Sequence, residues 1–326
     1  MRGSQYVFWG IRITISAGLV YIVFSRIHIG DIIVLIRSAD LFLVISGIVI
    51  SFIAFAINTK KWQSLLVPIV GSERFSTLLK LNLLGIFYAV FLPGGQLTGE
   101  AIKSYHFVKG KDDKERIIFS VVMDRLISLI VFVFFGFISL LLAHPAISQY
   151  SALTLLFSAL SLGSALLLLL FNRAFFIFLE GLRRRIFRGS RSLFASLVEK
   201  VFSVMSVYKG EYQTLRSALF YGALFQIINT VGTYTLAMSV HADVSLLTIS
   251  WVNTLVSIVV FIPVTFMGLG LREGSYAYFL SLVGISAERA IGISALVFLV
   301  SLLLAVIGGF LEYKRVFLKP HAGHHV

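Results

Sequence analysis

The chain has no cysteine, which removes any disulfide framework and any thiolate metal or redox centre. It is also poor in charge: Asp, Glu, Lys and Arg make up 13% of its 326 residues, against 58% hydrophobic ones. Soluble domains carry about 25% charged residues, so this composition belongs instead to helical proteins that cross a membrane several times. Carboxylates are the scarcer sign, 15 against 28 Lys and Arg, for a formal charge of +13. The cations flank apolar runs, a pattern of positive-inside topology and anionic-lipid contact, and no nucleic-acid partner is expected. A Gly-x-x-x-x-Gly-Lys-Ser/Thr phosphate loop is missing, and with it any sign of ATP use. The seven histidines lack carboxylates at metal-ligand spacing, and no catalytic constellation stands out. The sequence therefore predicts no metal, no cofactor and no enzyme.

Of only five prolines, two interrupt apolar runs. In Phe91-Leu92-Pro93-Gly94-Gly95-Gln96-Leu97-Thr98-Gly99-Glu100, Pro93 removes a backbone donor. Gly94, Gly95 and Gly99 weaken helical preference where the run should continue. Freed backbone groups are costly in lipid, so such breaks occur where they are packed in protein or line a cavity. Residues 261–276 read alike: Pro263, then Gly268 and Gly270, then Arg272 and Glu273 at the head of a new helical segment. Asn82 lies eleven residues before Pro93, and Asn253 ten before Pro263. Two interrupted segments, one per half, point to the central site of a transporter. The glycines have a second reading, close helix packing.

Hydropathy predicts an uncleaved first span over 7–24 and a second over 41–57, closed by Asn58-Thr59-Lys60-Lys61-Trp62 as a cationic and aromatic interface anchor. Residues 81–92 cover only part of a hydrocarbon core, so 81–108 reads as a re-entrant hairpin, followed by a basic loop and a third span over 117–142. Further spans are expected over 151–171, 217–239 and 288–312, with a second interrupted segment over 246–284. Between them, 172–216 interleaves Arg183, Arg184, Arg185 and Arg188 with Phe187, Leu193 and Phe194, the pattern of amphipathic helices on an anionic membrane face.

Charge bias predicts cytoplasmic termini and a cytoplasmic 172–216. One integral membrane domain, 1–326, then comprises about six spans and two re-entrant hairpins, all α. Its halves, 1–145 and 146–326, have opposite orientation: an inverted-topology repeat in a cell membrane. Homo-oligomerisation is left open.

The ionisable residues within these segments need partners. Glu100 and Lys103 are three apart, on one helical face, and able to pair. Arg272 and Glu273 occupy the corresponding place in the second half, and Asp124 and Arg125 sit in the entry of the third span. Such charges mark either a polar cavity or a structural lock between helices; Asp124 and Arg125 have the further reading of an interface marker.

At Asn82-x10-Pro93-Gly-Gly-x3-Gly99-Glu100, Met123-Asp124-Arg125 and Gly268-Leu-Gly-Leu-Arg272-Glu273-Gly274, the chain resembles the lysylphosphatidylglycerol synthase transmembrane-region family of flippase-like proteins. The resemblance covers nearly the whole chain and implies translocation of a polar lipid between leaflets. The chain stops at Val326, shortly after the last expected span, so the soluble synthase domain of the best-known member is expected to be absent. The substrate-binding set expected on this reading is Asn82, Pro93, Gly94, Gly95, Gly99, Glu100, Lys103, Asp124, Arg125, Asn253, Gly268, Gly270, Arg272 and Glu273. The expected partners are a membrane phospholipid or other polar lipid at that set and anionic headgroups at 172–216. Two other readings stand beside it, a secondary transporter of a small anion and a membrane-embedded lipid-modifying enzyme. The orientation is testable: cysteines at Ser148 and Ser190 should react with an impermeant reagent from opposite faces, and labelling from one face would dismiss the inverted repeat.

Overall fold

The computed structural model describes residues 37–92, 95–143, 155, 157–163, 181, 206–208, 210–261 and 268–317. Every regular element among them is helical. The expected span over 7–24, most of those over 151–171 and 172–216, and Pro93, Gly94 and Pro263 lie outside the described residues.

Asp40 starts α1 (Leu41–Val70), its carboxylate accepting from the backbone N–H groups of Phe42 at 2.8 Å and Leu43 at 3.2 Å. The helix does not end near residue 57, as hydropathy predicts, but runs on to Val70. Its 30 residues measure about 45 Å, longer than a ~30 Å hydrocarbon core. The expected interface anchor is therefore internal: Lys61 and Trp62 are buried. The polar ends of both find partners inside the protein, Lys61 with Asp124 and Trp62 Nε1 with Ser120 Oγ at 3.1 Å.

Next come α2 (Phe75–Phe91) and α3 (Gln96–Val108), packed together and joined by a short connection. At 17 and 13 residues they reach about 25 and 20 Å, each short of the core thickness. They are followed by α4 (Lys114–Ala143) and α5 (Tyr212–Ser239). The latter begins five residues ahead of the expected span because Leu215 joins Leu65 and Met123 in a buried cluster. A single 3-10 turn before it, Ser206–Tyr208, is fixed by Tyr208 Oη donating to Leu65 O at 2.9 Å. A second short pair, α6 (Leu246–Phe261) and α7 (Leu271–Ser281), precedes α8 (Ala287–Phe317).

Among the described residues, three helices, α1, α4 and α8, are long and apolar enough to cross a membrane. Each presents large apolar side chains outward, such as Phe42, Ile45, Val49 and Ile53 at helical spacing on α1. The long helices bind the short pairs crosswise: α8 lies along α2, and α4 along α6. The largest core cluster joins Trp251, Val252 and Leu255 of α6 to Phe279 and Leu280 of α7 and Ile293 and Leu296 of α8.

Two glycines set the approach of α2 to α3. A Cβ on Gly99 would collide with the Gly85 carbonyl oxygen, and one on Gly85 would stand 3.3 Å from Gly99 O. Close packing, the second reading of these glycines, is what Gly99 performs. Replacing Gly99 with Ala should therefore lower stability by about 1–3 kcal/mol, read as a reduced Tm in detergent. Gly163, exposed and with no described neighbour near a Cβ, should accept Ala without loss of stability.

Candidate functional site

The polar side chains of α1, α3 and α4 converge. Asp124 and Arg125 are adjacent in sequence and so about 100° apart around α4, which sends them to different partners. Asp124 turns toward α1 and meets Lys61 Nζ at 3.2 Å; Ser128 Oγ, one turn on, accepts from the same ammonium. Arg125 turns toward α3. Its Nη2 donates to Glu100 Oε1 and its Nη1 to Gln96 Oε1 at 3.1 Å. The other oxygen of Glu100 is ion-paired with Lys103, whose ammonium lies 4.2 Å above the Trp62 ring.

The second half is built differently. Gly270, with φ at 79°, caps α7 and donates its N–H to Glu273 Oε2 at 2.8 Å. Glu273 Oε1 accepts from Arg272 Nη2 at 2.7 Å, from Nε at 3.1 Å and from Ser294 Oγ at 3.3 Å. The guanidinium also stacks on Phe298, 4.7 Å away. Glu273 is thus a helix cap and the anchor of α7 on α8, with its carboxylate favourably placed at a helix N-terminus.

Among the remaining predicted residues, Asn82 is buried and donates from Nδ2 to Thr59 Oγ1 at 2.9 Å. Asn253 accepts from Tyr276 Oη at 2.8 Å, and its own Nδ2 has no partner among the described residues. Gly95 caps α3 with φ at 57°, and Gly268, with φ at 72°, packs against Val260. Three functional candidates escape sequence reasoning: Lys61, Gln96 and Tyr276. The signal for Lys61 is the apolar spacing of Trp62, Leu65 and Leu66, which continues the helix past residue 57 and carries the lysine inward.

Two cavities open at this convergence. One, of about 400 Å³, is a chamber of mixed lining, in which Asn58, Asn82, Lys103, Asp124, Asn229 and Asn253 stand among apolar side chains such as Phe55, Leu236 and Val300. The other, of about 660 Å³, is a groove lined largely by apolar side chains such as Leu97, Ala101, Ile118, Val122 and Phe298. Gln96, Glu100, Arg125 and Arg272 line both. Predicted residues of the two halves thus meet around one chamber, Asn82, Glu100 and Asp124 from the first and Asn253 and Arg272 from the second.

The Lys61–Asp124 pair is fully removed from solvent on the lysine side, so deleting one partner leaves an uncompensated charge. Lys61→Met or Asp124→Asn alone should cost about 3–5 kcal/mol, whereas Lys61→Met with Asp124→Leu should recover most of the loss. Thermal melting of the purified variants in detergent checks this; equal melting of single and double variants would contradict it.

Comparison with curated proteins and with solved structures yields no match. The family model described as "Lysylphosphatidylglycerol synthase TM region" matches residues 9–309, spanning both interrupted segments and the chamber between them. By that match and its long apolar helices, the chain belongs to the lysylphosphatidylglycerol synthase TM-region family, as an integral membrane protein with a lipid-related function.

Proposed function

We propose that this protein is a flippase that moves a polar lipid between membrane leaflets. The observation that carries this reading is the continuity of a chamber that holds charged and amide side chains with a largely apolar groove, along a shared wall that includes Gln96, Glu100, Arg125 and Arg272 beside Ile86, Ala89 and Val260. An amphiphile needs both environments at once: donors and charges for its headgroup, and an apolar channel for its acyl chains. A transporter of a small soluble anion needs only an enclosed polar pocket, and the apolar groove favours the lipid over such a solute.

Translocation then proceeds by placing the headgroup in the chamber while the acyl chains follow the groove. The backbone N–H groups at the start of α3 and the side chains of Lys103 and Arg125 supply positive potential for the headgroup. Asn253 Nδ2 offers a further donor on the chamber wall. In this reading α2–α3 and α6–α7 are re-entrant hairpins that enter from opposite faces as the equivalent elements of an inverted repeat. Two facts support it: both pairs consist of helices shorter than the bilayer core, and each packs against the long helix that follows the other pair. The protein works without bond chemistry, its two termini face the cytoplasm of a cell, and 172–216 gathers anionic lipid at that face.

The test is a proteoliposome assay that follows a fluorescent lipid from one leaflet to the other. Val122 and Ala101 face the groove rather than the core, so Trp at either position should fill the channel and leave the fold intact. Each should slow flipping by about tenfold or more, a barrier increase of at least ~1.4 kcal/mol. Glu100→Gln, which keeps size but deletes the charge shared by Lys103 and Arg125, should do the same. Flipping at wild-type rate with a filled groove would overturn the reading.

A further inference from the structure

This inference rests on the transport reading and concerns the charge of what is carried. Among the described residues, the charged side chains that line the chamber are Lys103, Arg125 and Arg272 against Glu100 and Asp124, with Lys61 and Glu273 as ion-pair partners outside its lining. Lys61 and Asp124 neutralise one another at 3.2 Å, and Arg272 and Glu273 at 2.7 Å. Glu100 is left between two cations, Lys103 and Arg125, and this triad carries one positive charge in excess.

The two cations are not equivalent. The Lys103 side chain is 3% exposed, enclosed by Glu100 and the face of Trp62. The Arg125 side chain is 32% exposed and lines chamber and groove alike. The excess charge is therefore presented by Arg125, at the seam where polar wall gives way to apolar wall. In a glycerophospholipid the phosphate occupies the same kind of boundary, between the headgroup and the glycerol that bears the acyl chains.

We propose that Arg125 seats the phosphodiester of the transported lipid, whose single negative charge balances the triad, with Glu100 as the counter-ion that Arg125 holds between transport events. An uncompensated cation beside hydrocarbon is costly, and a lipid without phosphate leaves it so. A phosphodiester cancels it. A phosphomonoester, at a charge of about −1.5 to −2, overshoots. A guanidinium also matches phosphate with a planar fork of donors, which an ammonium lacks. Arg272 is the weaker candidate because its side chain is 11% exposed and Glu273 neutralises it one to one, whereas Arg125 shares its carboxylate with Lys103.

The experiment measures binding of short-chain amphiphiles to the purified protein in detergent, beside the proteoliposome flipping assay. The probes are a phosphatidylglycerol, a diglucosyl diacylglycerol and a phosphatidic acid with matched chains, and chain-free glycerophosphoglycerol. Wild type should bind phosphatidylglycerol about tenfold more tightly than the glycolipid, as a charge-assisted hydrogen-bonded pair provides. Chain-free glycerophosphoglycerol should bind more weakly than phosphatidylglycerol; equal binding would identify a soluble phosphodiester as the ligand and overturn the proposal. Arg125→Gln should erase the preference over the glycolipid, and Lys114→Gln, an exposed charge away from both cavities, should keep it. Glu100→Gln raises the excess charge by one and should shift preference toward phosphatidic acid. If Arg125→Gln does not fold, Arg125→Lys and Glu100→Gln decide, and no shift toward phosphatidic acid in Glu100→Gln would overturn the proposal. Equal binding of phosphatidylglycerol and glycolipid by a wild type that still flips lipid overturns this inference alone. A wild type that neither binds nor flips any of them overturns the transport reading as well.

Discussion

A charge placed among apolar helices cannot find a counter-charge in the hydrocarbon around them, so the protein has to supply one. In this molecule that requirement gathers α1, α3 and α4 around two carboxylates, Glu100 and Asp124. Each ion pair is a geometric restraint as well as an electrostatic one. Lys61 fixes how deep α1 lies against α4, and Arg125 fixes α3 to the same helix one residue further on. Since Asp124 and Arg125 point about 100° apart, α4 is locked on two sides by neighbouring positions of its own sequence. Trp62 completes the arrangement by covering Lys103 with its face while its indole nitrogen donates to Ser120 of α4.

The second half of the bundle solves a related problem with a different device. Its carboxylate, Glu273, accepts from the backbone at the start of its own helix and from the arginine beside it, and Ser294 ties the pair to α8. This pair is neutral and self-contained. The triad around Glu100 is neither, since it binds two cations with one carboxylate and leaves one of them partly exposed. That asymmetry in charge distinguishes the two sides of the chamber.

Close packing and polarity are separated in the same elements. Gly85 and Gly99 let α2 and α3 touch along one face, which brings Glu100 and Lys103, on an adjoining face, to the chamber. Alanine at Gly99 would push the arm away from α2 and displace the carboxylate with it. The glycines thus set the helix separation at the site, whose wall they also line.

Much of this was legible in the sequence. The scarcity of charge and the long apolar runs dictate a helical membrane protein, because only a helix satisfies its own backbone in lipid. The breaks around Pro93 and Pro263, with their glycines, fall where one short helix ends and the next begins, and the three-residue spacing of Glu100 and Lys103 dictates a shared face. What sequence could not decide is which charges meet across helices. Lys61 reads as an interface anchor because it follows another lysine at the end of an apolar run, and the helix that continues beyond it is recognised only by weaker apolar spacing. Its pairing with Asp124, 63 positions away, depends on the rotation and depth of two helices, which many distant contacts set together. The same holds for Arg125: its neighbour in sequence is a carboxylate, yet helical geometry turns the two apart and gives it Glu100 instead. Composition and periodicity are local properties and determined the helices; charge pairing is a property of their packing, and tertiary structure alone decided that Glu100 serves two cations.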